Sequence, residues 1–395
     1  MKNFRHASDL ECLRVIPFNR PTRAPEELAL VREALENGAH LPEAKFGDQS
    51  AEWLSHALDV RYATLTPSCT AALELAALAL DIQPGDEVIV PSFTFTSTAN
   101  AFLLRGARIV FADAQADTLC IDPEHVAKLI TPRTRAIVAM HYAGISCDMD
   151  RLMSLANAAG VPVIEDAAHA LFGRYKGRSL GTIGAMGTYS FHRTKNLTCG
   201  EGGALVTNEA HYSETAEIVR EKGTNRSQFM RGLLHKYEWV RSGSSYVIAD
   251  LLAAQLLAQL RASQEVQAKR ARIWLRYQRE LADWAAREGV RQPHIPDGCE
   301  PAWHLYHLVM PTSGSRDRFL DHLRSHDIGS AFHYIPLHLT PFGQQMGGRS
   351  GDAPVTEKTA PRLVRLPFFT DLTEDEQSRV IEVVWSFSER ATRAA

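Results

Sequence analysis

The stretch from residue 135 to residue 167 decides the fold class, because it contains two short apolar runs, RAIVAMH (135–141) and VPVIEDA (161–167). Each run is continuously apolar, which is typical of strands buried on both faces. EVIVPSF (87–93) and ARIVFAD (107–113) show the same pattern, and each run is reached through a helix or a loop. This alternation predicts an α/β fold with a parallel or mostly parallel sheet wrapped by helices.

The neighbouring segments fit this architecture. PEELALVREALENG (25–38) has helical spacing before a glycine, and TAALELAALAL (70–80) is rich in strong helix formers. MGTYSFH (186–192) and GALVT (203–207) predict two further strands joined by a Gly-rich, hairpin-like loop.

After about residue 248 the character of the sequence changes. Residues 248–288 predict a long helical stretch with one break, and a Pro-rich link follows at 292–303. HLYHLVM (304–310) predicts a strand, and further helices are predicted near 315–326 and from about residue 373. This pattern predicts a smaller α+β domain with a long helix leading into it.

The chain has 395 residues, which suggests about two to three domains. We expect an N-terminal arm (1–22), a large α/β domain (23–258) and a smaller C-terminal α+β domain (259–395). The 45% hydrophobic and 23% charged residues are ordinary for a globular protein with a large core.

The charge balance and the cysteine spacing exclude several classes of protein. Lys plus Arg (43) against Asp plus Glu (46) leaves a net charge of −3, without the basic excess of nucleic-acid binders. No stretch approaches the roughly 18 apolar residues of a membrane span, and the first twenty residues lack a signal-peptide core. The six cysteines form no C-x-x-C pair. We therefore expect reduced thiols in a cytoplasmic protein, and no metal, nucleic-acid or membrane partner.

Polar residues follow two predicted strands, at the sheet edge where open α/β proteins bind ligands. Glu165 and Asp166 follow VPVI, and a helix cap or a solvated strand end also explains such a pair. Lys195 leaves a strand in SFHRTKN (190–196). It is either a solvated surface charge or, in a partly desolvated pocket, a nucleophile with a lowered pKa.

A third group opens a helix in TPSCTAALELAAL (66–78). Ser68 or Thr70 can serve as an N-cap, and free N–H groups with hydroxyls at a helix start also form a phosphate site. The loop lacks the Gly-Lys-Ser/Thr of a Walker A motif. The glycine spacing of GTIGAMG (181–187) also differs from that of a dinucleotide fingerprint.

Together these groups match the requirements of one cofactor, pyridoxal phosphate. It needs a lysine for its aldehyde, a carboxylate for its ring nitrogen, an aromatic face, and a helix start with hydroxyls for its phosphate. The chain supplies these in order, from the helix at Ser68 through PSFTFTST (91–98) and Asp166 to Ser190 and Lys195.

Over about residues 16 to 388 the sequence resembles the DegT/DnrJ/EryC1/StrS family of sugar-nucleotide aminotransferases, within the aspartate-aminotransferase (fold type I) superfamily. The motifs that carry the resemblance are PSCTAALELAAL, DIQPGDEVIVPSFTFTSTANAF, VIEDAAHA, YKGRSLGTIG, YSFHRTKN, GEGGALV, REKGTNRSQF, GSSY and HYIPLHL. The resemblance implies a pyridoxal-phosphate enzyme with a large, mostly parallel-sheet domain and a smaller α+β domain.

The resemblance also implies roles for individual residues. Lys195 matches the Schiff-base lysine, and Asp166 matches the partner of the ring nitrogen. Phe95 matches the stacking aromatic, and His169 lies near the phenolic oxygen. The residues that match phosphate ligands are Cys69, Thr70 and Ser190, with Ser245 at a position where many relatives have an asparagine from the partner subunit.

The implied reaction transfers the amino group of L-glutamate to C4 of a nucleotide-linked 4-keto-6-deoxy sugar, with dTDP expected over UDP. Lys195 distinguishes the chain from related 3-dehydratases, which have histidine at that position. The implied assembly is a homodimer with shared active sites. The candidate substrate-binding residues are His192, Lys222, Asn225, Arg226, His333, Tyr334 and His338.

Alternatives remain for several of these assignments. Lys222, Asn225 and Arg226 meet the sugar diphosphate or form a solvated charged turn. His333, Tyr334 and His338 line the sugar pocket or form a buried aromatic packing cluster. The acceptor is alternatively a 3-keto sugar, a UDP sugar or a cyclitol ketone. A non-catalytic cofactor-binding regulator is a further alternative, which the presence of both Lys195 and Asp166 disfavours.

Overall fold

The computed structural model describes residues 15–36 and 45–388, so residues 1–14 of the expected arm lie outside the described part. The strands, in chain order, are β1 (Tyr62–Thr66), β2 (Glu87–Pro91), β3 (Arg108–Ala112), β4 (Thr134–Met140), β5 (Val163–Asp166), β6 (Arg174–Tyr175), β7 (Arg178–Ser179), β8 (Met186–Ser190), β9 (Gly203–Thr207), β10 (Cys299–Glu300), β11 (His307–Val309) and β12 (Leu363–Arg365).

The helices, in chain order, are α1 (Glu27–Glu36), α2 (Lys45–Leu58), α3 (Cys69–Ala79), α4 (Thr96–Leu103), α5 (Pro123–Leu129), α6 (Met149–Ala159), α7 (Ala210–Arg220), α8 (Arg226–Met230), α9 (Asp250–Arg261), α10 (Ser263–Glu280), α11 (Ala282–Glu288), α12 (Ser313–Ser325), α13 (Pro341–Gln345), α14 (Pro354–Thr359) and α15 (Glu374–Ser386). Short 3₁₀ turns lie at Tyr142–Gly144, Leu337–Leu339 and Ala360–Arg362.

The central sheet has the strand order β1-β9-β8-β5-β4-β2-β3. Strand β9 is antiparallel to both of its neighbours, β1 and β8, whereas the other pairs are parallel. The prediction of a mostly parallel sheet is therefore confirmed, as is the prediction that 186–192 and 203–207 form neighbouring strands.

Both faces of this sheet are covered, as the continuous apolar runs predicted. Val88 and Val90 of β2 pack into one hydrophobic cluster, whereas Ile89 between them packs into another on the opposite face. Successive side chains of a strand point to opposite faces, so a strand covered on both sides must be apolar at every position. This is the physical reason for the uninterrupted runs.

The long helical stretch after residue 248 contains two breaks where one was predicted. They fall at Ala262, between α9 and α10, and at Leu281, between α10 and α11. The expected domain boundary at 258/259 lies inside α9, and the division into domains stays a prediction. Beyond α9 a further hydrophobic cluster forms around Trp284, Tyr306 and Phe369.

The C-terminal elements follow the sequence-based expectations with shorter strands. Of residues 304–310, only His307–Val309 pair with a neighbouring strand, β12. The final helix α15 begins with a capping box, in which Thr373 and Glu376 bond to each other's backbone N–H. No helix in the described ranges is long and apolar enough to cross a bilayer. The cysteines in those ranges are free, and Cys12 lies outside them.

Candidate active site

A cavity of about 590 Å³ opens where β5 and β8 end and α3 begins. This is the carboxyl edge of the parallel strands, where open α/β sheets bind their ligands. The lining residues are Phe18, Asn19, Ser68, Cys69, Thr70, Leu73, Phe95, Ser97, Thr98, Met140, Asp166, Ala168, His169, Ser190, His192, Thr194, Lys195, Glu201, His304, Leu305, His333, Tyr334, Arg365, Leu366 and Phe368. The cavity therefore brings together side chains from both ends of the sequence.

Lys195 enters this cavity from the turn that follows β8. Its backbone N–H donates to the carbonyl oxygen of His192 over 2.9 Å, which closes the turn. Its amine has no hydrogen-bond partner among the described residues. Burial lowers the pKa of Lys195 to about 8, although the nearby Asp166 carboxylate opposes the shift. A lysine in this state is a nucleophile near neutral pH.

Asp166 is the last residue of β5 and is buried. Its Oδ2 accepts a hydrogen bond from the Thr98 hydroxyl at 2.7 Å, and its Oδ1 accepts one from the Ala168 N–H at 3.1 Å. Thr98 lies in the first turn of α4 and is the last residue of the PSFTFTST segment. These two donors fix the direction in which the carboxylate faces the cavity.

The start of α3 provides an anion site at the cavity wall. The Ser68 hydroxyl caps the helix by accepting from the Ala71 N–H. The N–H groups of Cys69 and Thr70 have no backbone partner in the described part of the chain. The Thr70 hydroxyl lies 2.7 Å from that of Ser97. Free N–H groups and hydroxyls at a helix start are suited to bind phosphate.

A glycine on the neighbouring strand makes this arrangement possible. A Cβ atom at Gly203 of β9 would lie 2.4 Å from the backbone carbon of Ser68 and 2.5 Å from the nitrogen of Cys69. Any larger residue would push the start of α3 away from the sheet. The GEGGALV motif thus has a packing reason, because its last glycine lets strand and helix backbone touch.

His169 lies in the cavity wall within a stack of rings. Its ring is 4.2 Å from that of His304, at an interplanar angle of 24°. Its Nδ1 atom is buried without a hydrogen-bond partner. Burial, followed by the charge of Lys195, lowers the pKa of His169 well below its usual value, so the ring is neutral. A neutral ring with a buried, unpartnered nitrogen is ready to bond a ligand atom.

These unsatisfied groups provide a test of whether pyridoxal phosphate fits. Buried polar groups are nearly always hydrogen-bonded in native proteins. Here an amine, a ring nitrogen and two helix-start N–H groups are all without partners around one cavity. Phe95, at the rim, keeps 58% of its surface exposed and so offers an aromatic face. The residues fit an aromatic aldehyde that carries a phosphate.

Four of the predicted ligands lie elsewhere in this chain. The Lys222 amine is 3.4 Å from a Glu221 carboxylate oxygen, and Asn225 accepts a hydrogen bond from the Glu238 N–H at 2.7 Å. Arg226 and Ser245 also lie outside the cavity described above. The resemblance implies that this segment serves the partner subunit, and that role stays a prediction.

His338 is also placed differently from the prediction. The side chain is fully buried, with Nδ1 bonded to the Ser92 hydroxyl and Nε2 3.0 Å from a Glu357 carboxylate oxygen. Both ring nitrogens are therefore occupied, and the ring does not line the cavity. His192, in contrast, does line it, with Nε2 3.6 Å from a Glu201 carboxylate oxygen.

Sequence reasoning did not identify Arg365, which is the one arginine and, beside Lys195, the one other basic Lys or Arg side chain among the cavity residues described. Its Nη2 donates to the Phe332 carbonyl oxygen at 3.0 Å, and its guanidinium lies 4.6 Å from the centre of the Phe18 ring. Its Nε is buried without a partner. The surrounding sequence LVRLPFF contains no signal for this position, because β12 carries Arg365 to the cavity only in the folded chain.

Comparisons with known proteins identify the family. The profile of the DegT/DnrJ/EryC1/StrS aminotransferase family matches residues 21–385. The spore coat polysaccharide biosynthesis protein SpsC of Bacillus subtilis (strain 168) is 36% identical over 377 residues, which is 93% of this chain and 96% of that protein.

Solved structures give the same result. The aminotransferase TlmJ of Streptoalloteichus hindustanus superposes with a TM-score of 0.87 at 30% identity, over 94% of this chain and 98% of that one. The PLP form of the putative sugar aminotransferase Spr1654 of Streptococcus pneumoniae has a TM-score of 0.87 at 27% identity, with 95% and 99% covered. Spr1654 has also been solved in a PMP form.

Proposed function

We propose that this chain, which belongs to the DegT/DnrJ/EryC1/StrS aminotransferase family, transfers an amino group from L-glutamate to C4 of dTDP-4-keto-6-deoxy-D-glucose. The chain has the fold type I architecture, and its cofactor is pyridoxal phosphate. The products are 2-oxoglutarate and a dTDP-4-amino-4,6-dideoxyhexose of galactose or glucose configuration. The segments EKGTNRSQF and FHYIPLH, which resemble the dTDP-4-amino-4,6-dideoxygalactose transaminases, support this substrate.

One observation carries the proposal, namely the unpartnered amine of Lys195 in the same cavity as Asp166. The cofactor, when bound, supplies an aldehyde and an electron-accepting ring. Lys195 would hold it through the aldehyde, and Asp166 would keep its ring nitrogen protonated. Cys69, Thr70 and Ser190 would hold its phosphate, and Ser245 of the partner subunit would add to that site. Phe95 would cover its ring, and His169 would contact its phenolic oxygen.

Lys195 then acts as the proton carrier in both half-reactions. Its Nζ takes the proton from Cα of the amino donor, and in the second half-reaction it delivers a proton to C4 of the sugar. The pKa of about 8 suits both directions, because both the protonated and the unprotonated amine are populated between pH 7 and pH 9. The face of C4 that receives the proton decides between the galactose and glucose products.

The two basic side chains of the cavity, Lys195 and Arg365, have different roles. Lys195 carries out the proton transfers, so Arg365 is the permanent charge left to meet an anionic substrate group. Its positive charge contributes to lowering the pKa of His169 and of Lys195, so it acts close to the reacting centre. The α-carboxylate of the donor is attached directly to the reacting carbon. We therefore assign Arg365 to that carboxylate, which a planar guanidinium binds with two hydrogen bonds.

The acceptor occupies the side of the cavity lined by His192, His333 and Tyr334. We further propose a homodimer, in which Lys222, Asn225 and Arg226 of one protomer meet the sugar diphosphate in the site of its partner. The segment 229–240 carries exposed apolar side chains, among them Trp239 with 78% of its surface exposed, which a subunit interface would cover.

The test uses the holoenzyme and separates the two half-reactions. L-Glutamate should bleach the absorption band of the bound cofactor, and a keto-sugar nucleotide should restore it. The acceptors compared are the dTDP-4-keto, UDP-4-keto and dTDP-3-keto 6-deoxy sugars and a cyclitol ketone, with products identified by mass spectrometry and NMR. If only an acceptor other than the dTDP-4-keto sugar restores the absorption band, the proposed substrate is wrong. If L-glutamate bleaches the band but no acceptor is aminated, the result supports a cofactor-binding regulator.

Lys195→Ala is the variant that tests the chemistry. It should lower turnover by at least about a thousandfold, because both proton transfers lose their carrier. Lys176→Ala is the matched control, since Lys176 is an exposed lysine paired with Asp150 and should leave turnover unchanged. Full turnover in Lys195→Ala would exclude the mechanism.

A further inference from the structure

The inference begins at Tyr142, a fully buried residue that follows β4. Its ring packs edge-on against Phe93 at 4.9 Å. Its hydroxyl has one hydrogen-bond partner among the described residues, Nδ1 of His333 at 3.0 Å. The two residues are 191 positions apart in the sequence, so the tertiary fold alone makes this pair.

The burial of Tyr142 decides the direction of this hydrogen bond. A buried hydroxyl that does not donate its hydrogen loses the free energy of a hydrogen bond. The only acceptor within reach in the described structure is the His333 ring, so the Tyr142 O–H donates to Nδ1. That nitrogen therefore carries no hydrogen. A neutral imidazole has one N–H, which must then be on Nε2.

The surroundings of His333 keep its ring neutral. Burial lowers the pKa of His333 well below its usual value, and the positive charges of Arg365 and Lys195 lower it further. Protonation of both nitrogens is thereby disfavoured. The tautomer with hydrogen on Nε2 is the form that satisfies both the burial of Tyr142 and the positive surroundings.

The second nitrogen of His333 is free to meet a ligand. Nε2 has no partner in the described part of the chain and is not enclosed by protein, and His333 lines the cavity. The ring is held in place from two sides. It stacks on Tyr334 at 3.9 Å and 20°, and it lies parallel to His169, with 9° between the planes and 5.9 Å between the centres.

We propose that Tyr142 is a positioning residue that fixes the tautomer of His333, so that His333 Nε2–H donates a hydrogen bond to an uncharged oxygen of the keto-sugar. That oxygen is a hydroxyl or carbonyl oxygen of the sugar ring. The inference rests on the proposed function, which gives the cavity its sugar substrate. An uncharged donor suits an uncharged oxygen, whereas the charged Arg365 suits a carboxylate.

Kinetics of the holoenzyme test the role. Tyr142→Phe should raise the KM for the keto-sugar about tenfold and change the KM for glutamate less than about twofold, because one hydrogen bond to one substrate is weakened. In a His333→Asn background the same change should have no further effect. The control is Tyr306→Phe, which should leave the KM for the keto-sugar unchanged. Tyr306 is likewise a fully buried tyrosine, and its hydroxyl bonds to Gln278 and Gln292.

A direct readout of the tautomer is independent of turnover. In holoenzyme labelled with ¹⁵N-histidine, the NMR signals absent from His333→Asn identify His333. Wild type should show hydrogen on Nε2 alone, and Tyr142→Phe should show both tautomers. Hydrogen on Nδ1 in wild type overturns the proposal. So does a Tyr142→Phe effect on the keto-sugar KM that is equal in both backgrounds, since that would be a packing effect.

Failure of the proposed function is a separate result. A wild type that aminates none of the keto-sugars removes the sugar from the proposal, and with it the role of His333 toward a sugar oxygen. The tautomer measured by NMR on the same protein would remain as a property of the Tyr142–His333 pair alone.

Discussion

Glu165 and Asp166 are neighbours on β5, yet they belong to two polar regions of opposite character. Glu165 is fully buried, and its oxygens accept hydrogen bonds from the N–H groups of Gly181, Ile183 and Gly184, at 2.6 to 2.7 Å, and from His141 Nε2 at 2.8 Å. This closed region has every acceptor filled by the chain itself.

The region around Asp166 is open in comparison. His169 Nδ1 and Arg365 Nε are buried without partners among the described residues, and the Lys195 amine, which lines the same cavity, has no hydrogen-bond partner there either. Unpartnered buried groups cost free energy, so a fold that has them in one cavity has reserved them for a ligand. Because successive strand residues face opposite sides, one step along β5 separates a structural carboxylate from one that serves the site.

The largest effect that would test this contrast is expected from Asp166→Asn. Turnover should fall by at least about a hundredfold, because a neutral amide does not hold the proton of the cofactor ring. The free energy of unfolding should change little, since the amide oxygen can still accept from the Ala168 N–H while the Thr98 hydroxyl turns to accept from the side-chain NH₂. Steady-state rates and urea unfolding of the same preparation measure both, and a large loss of stability would contradict the assignment.

Glu165→Gln should show the reverse pattern. The side-chain NH₂ cannot accept from the N–H groups of the 181–184 loop, and leaving these buried donors unsatisfied should lower the free energy of unfolding by about 3 kcal/mol. Urea unfolding of the cofactor-free chain gives the value. Glu124→Gln is the control, because that carboxylate pairs with Arg151 at the surface and should change stability little.

Arg365→Gln tests a smaller, substrate-specific effect. The KM for L-glutamate should rise about tenfold, because a charge-assisted hydrogen bond to the carboxylate is lost, and the KM for the keto-sugar should stay constant. Arg362→Gln is the control, since Arg362 precedes the same strand and bonds to the Lys358 carbonyl oxygen outside the cavity. An equal rise in both KM values would assign Arg365 to packing instead.

The smallest expected effect concerns the pH at which Lys195 reacts with pyridoxal phosphate. Because the pKa of Lys195 is lowered to about 8, its reductive labelling by pyridoxal phosphate in the cofactor-free protein should reach half its maximal rate near pH 8. Lys176, whose pKa Asp150 raises, should react only at higher pH. Peptide mass spectrometry after borohydride reduction measures both.

The lowered pKa of Lys195 also determines how the free energy of unfolding changes with pH. Between the lowered pKa of Lys195 and that of an unfolded lysine, the unfolded chain binds more protons than the folded one. The free energy of unfolding should therefore rise with pH above about 8. In Lys195→Met this rise should be reduced, and an unchanged slope would contradict the lowered pKa.

Much of the fold was predictable because local patterns report burial. The strands β2 to β5 could be predicted from continuous apolar runs, and the capped start of α3 could be predicted from Ser68. The second break in 248–288, at Leu281, was not, since helix-forming residues continue through it and tertiary packing decides where the axis turns.

The site was predictable only in part. Lys195 and Asp166 lie at strand ends, where topology brings them together, and their residue types match one cofactor. Arg365 and Thr98 carry no local signal, because a cation or a hydroxyl acquires its role from what it faces. His338 was expected in the pocket, but bonds to Ser92 and Glu357 hold it outside.

By itself the sequence predicted the class of sheet and the cofactor, because these follow from periodicity, from residue types at strand ends and from the family resemblance, which also implied the role of Lys195. Only the tertiary structure decided which polar groups remain without partners, which of two neighbouring carboxylates faces the cavity, and which nitrogen of His333 carries the hydrogen. Those outcomes depend on contacts between distant segments, such as Tyr142 with His333, and local composition does not encode them.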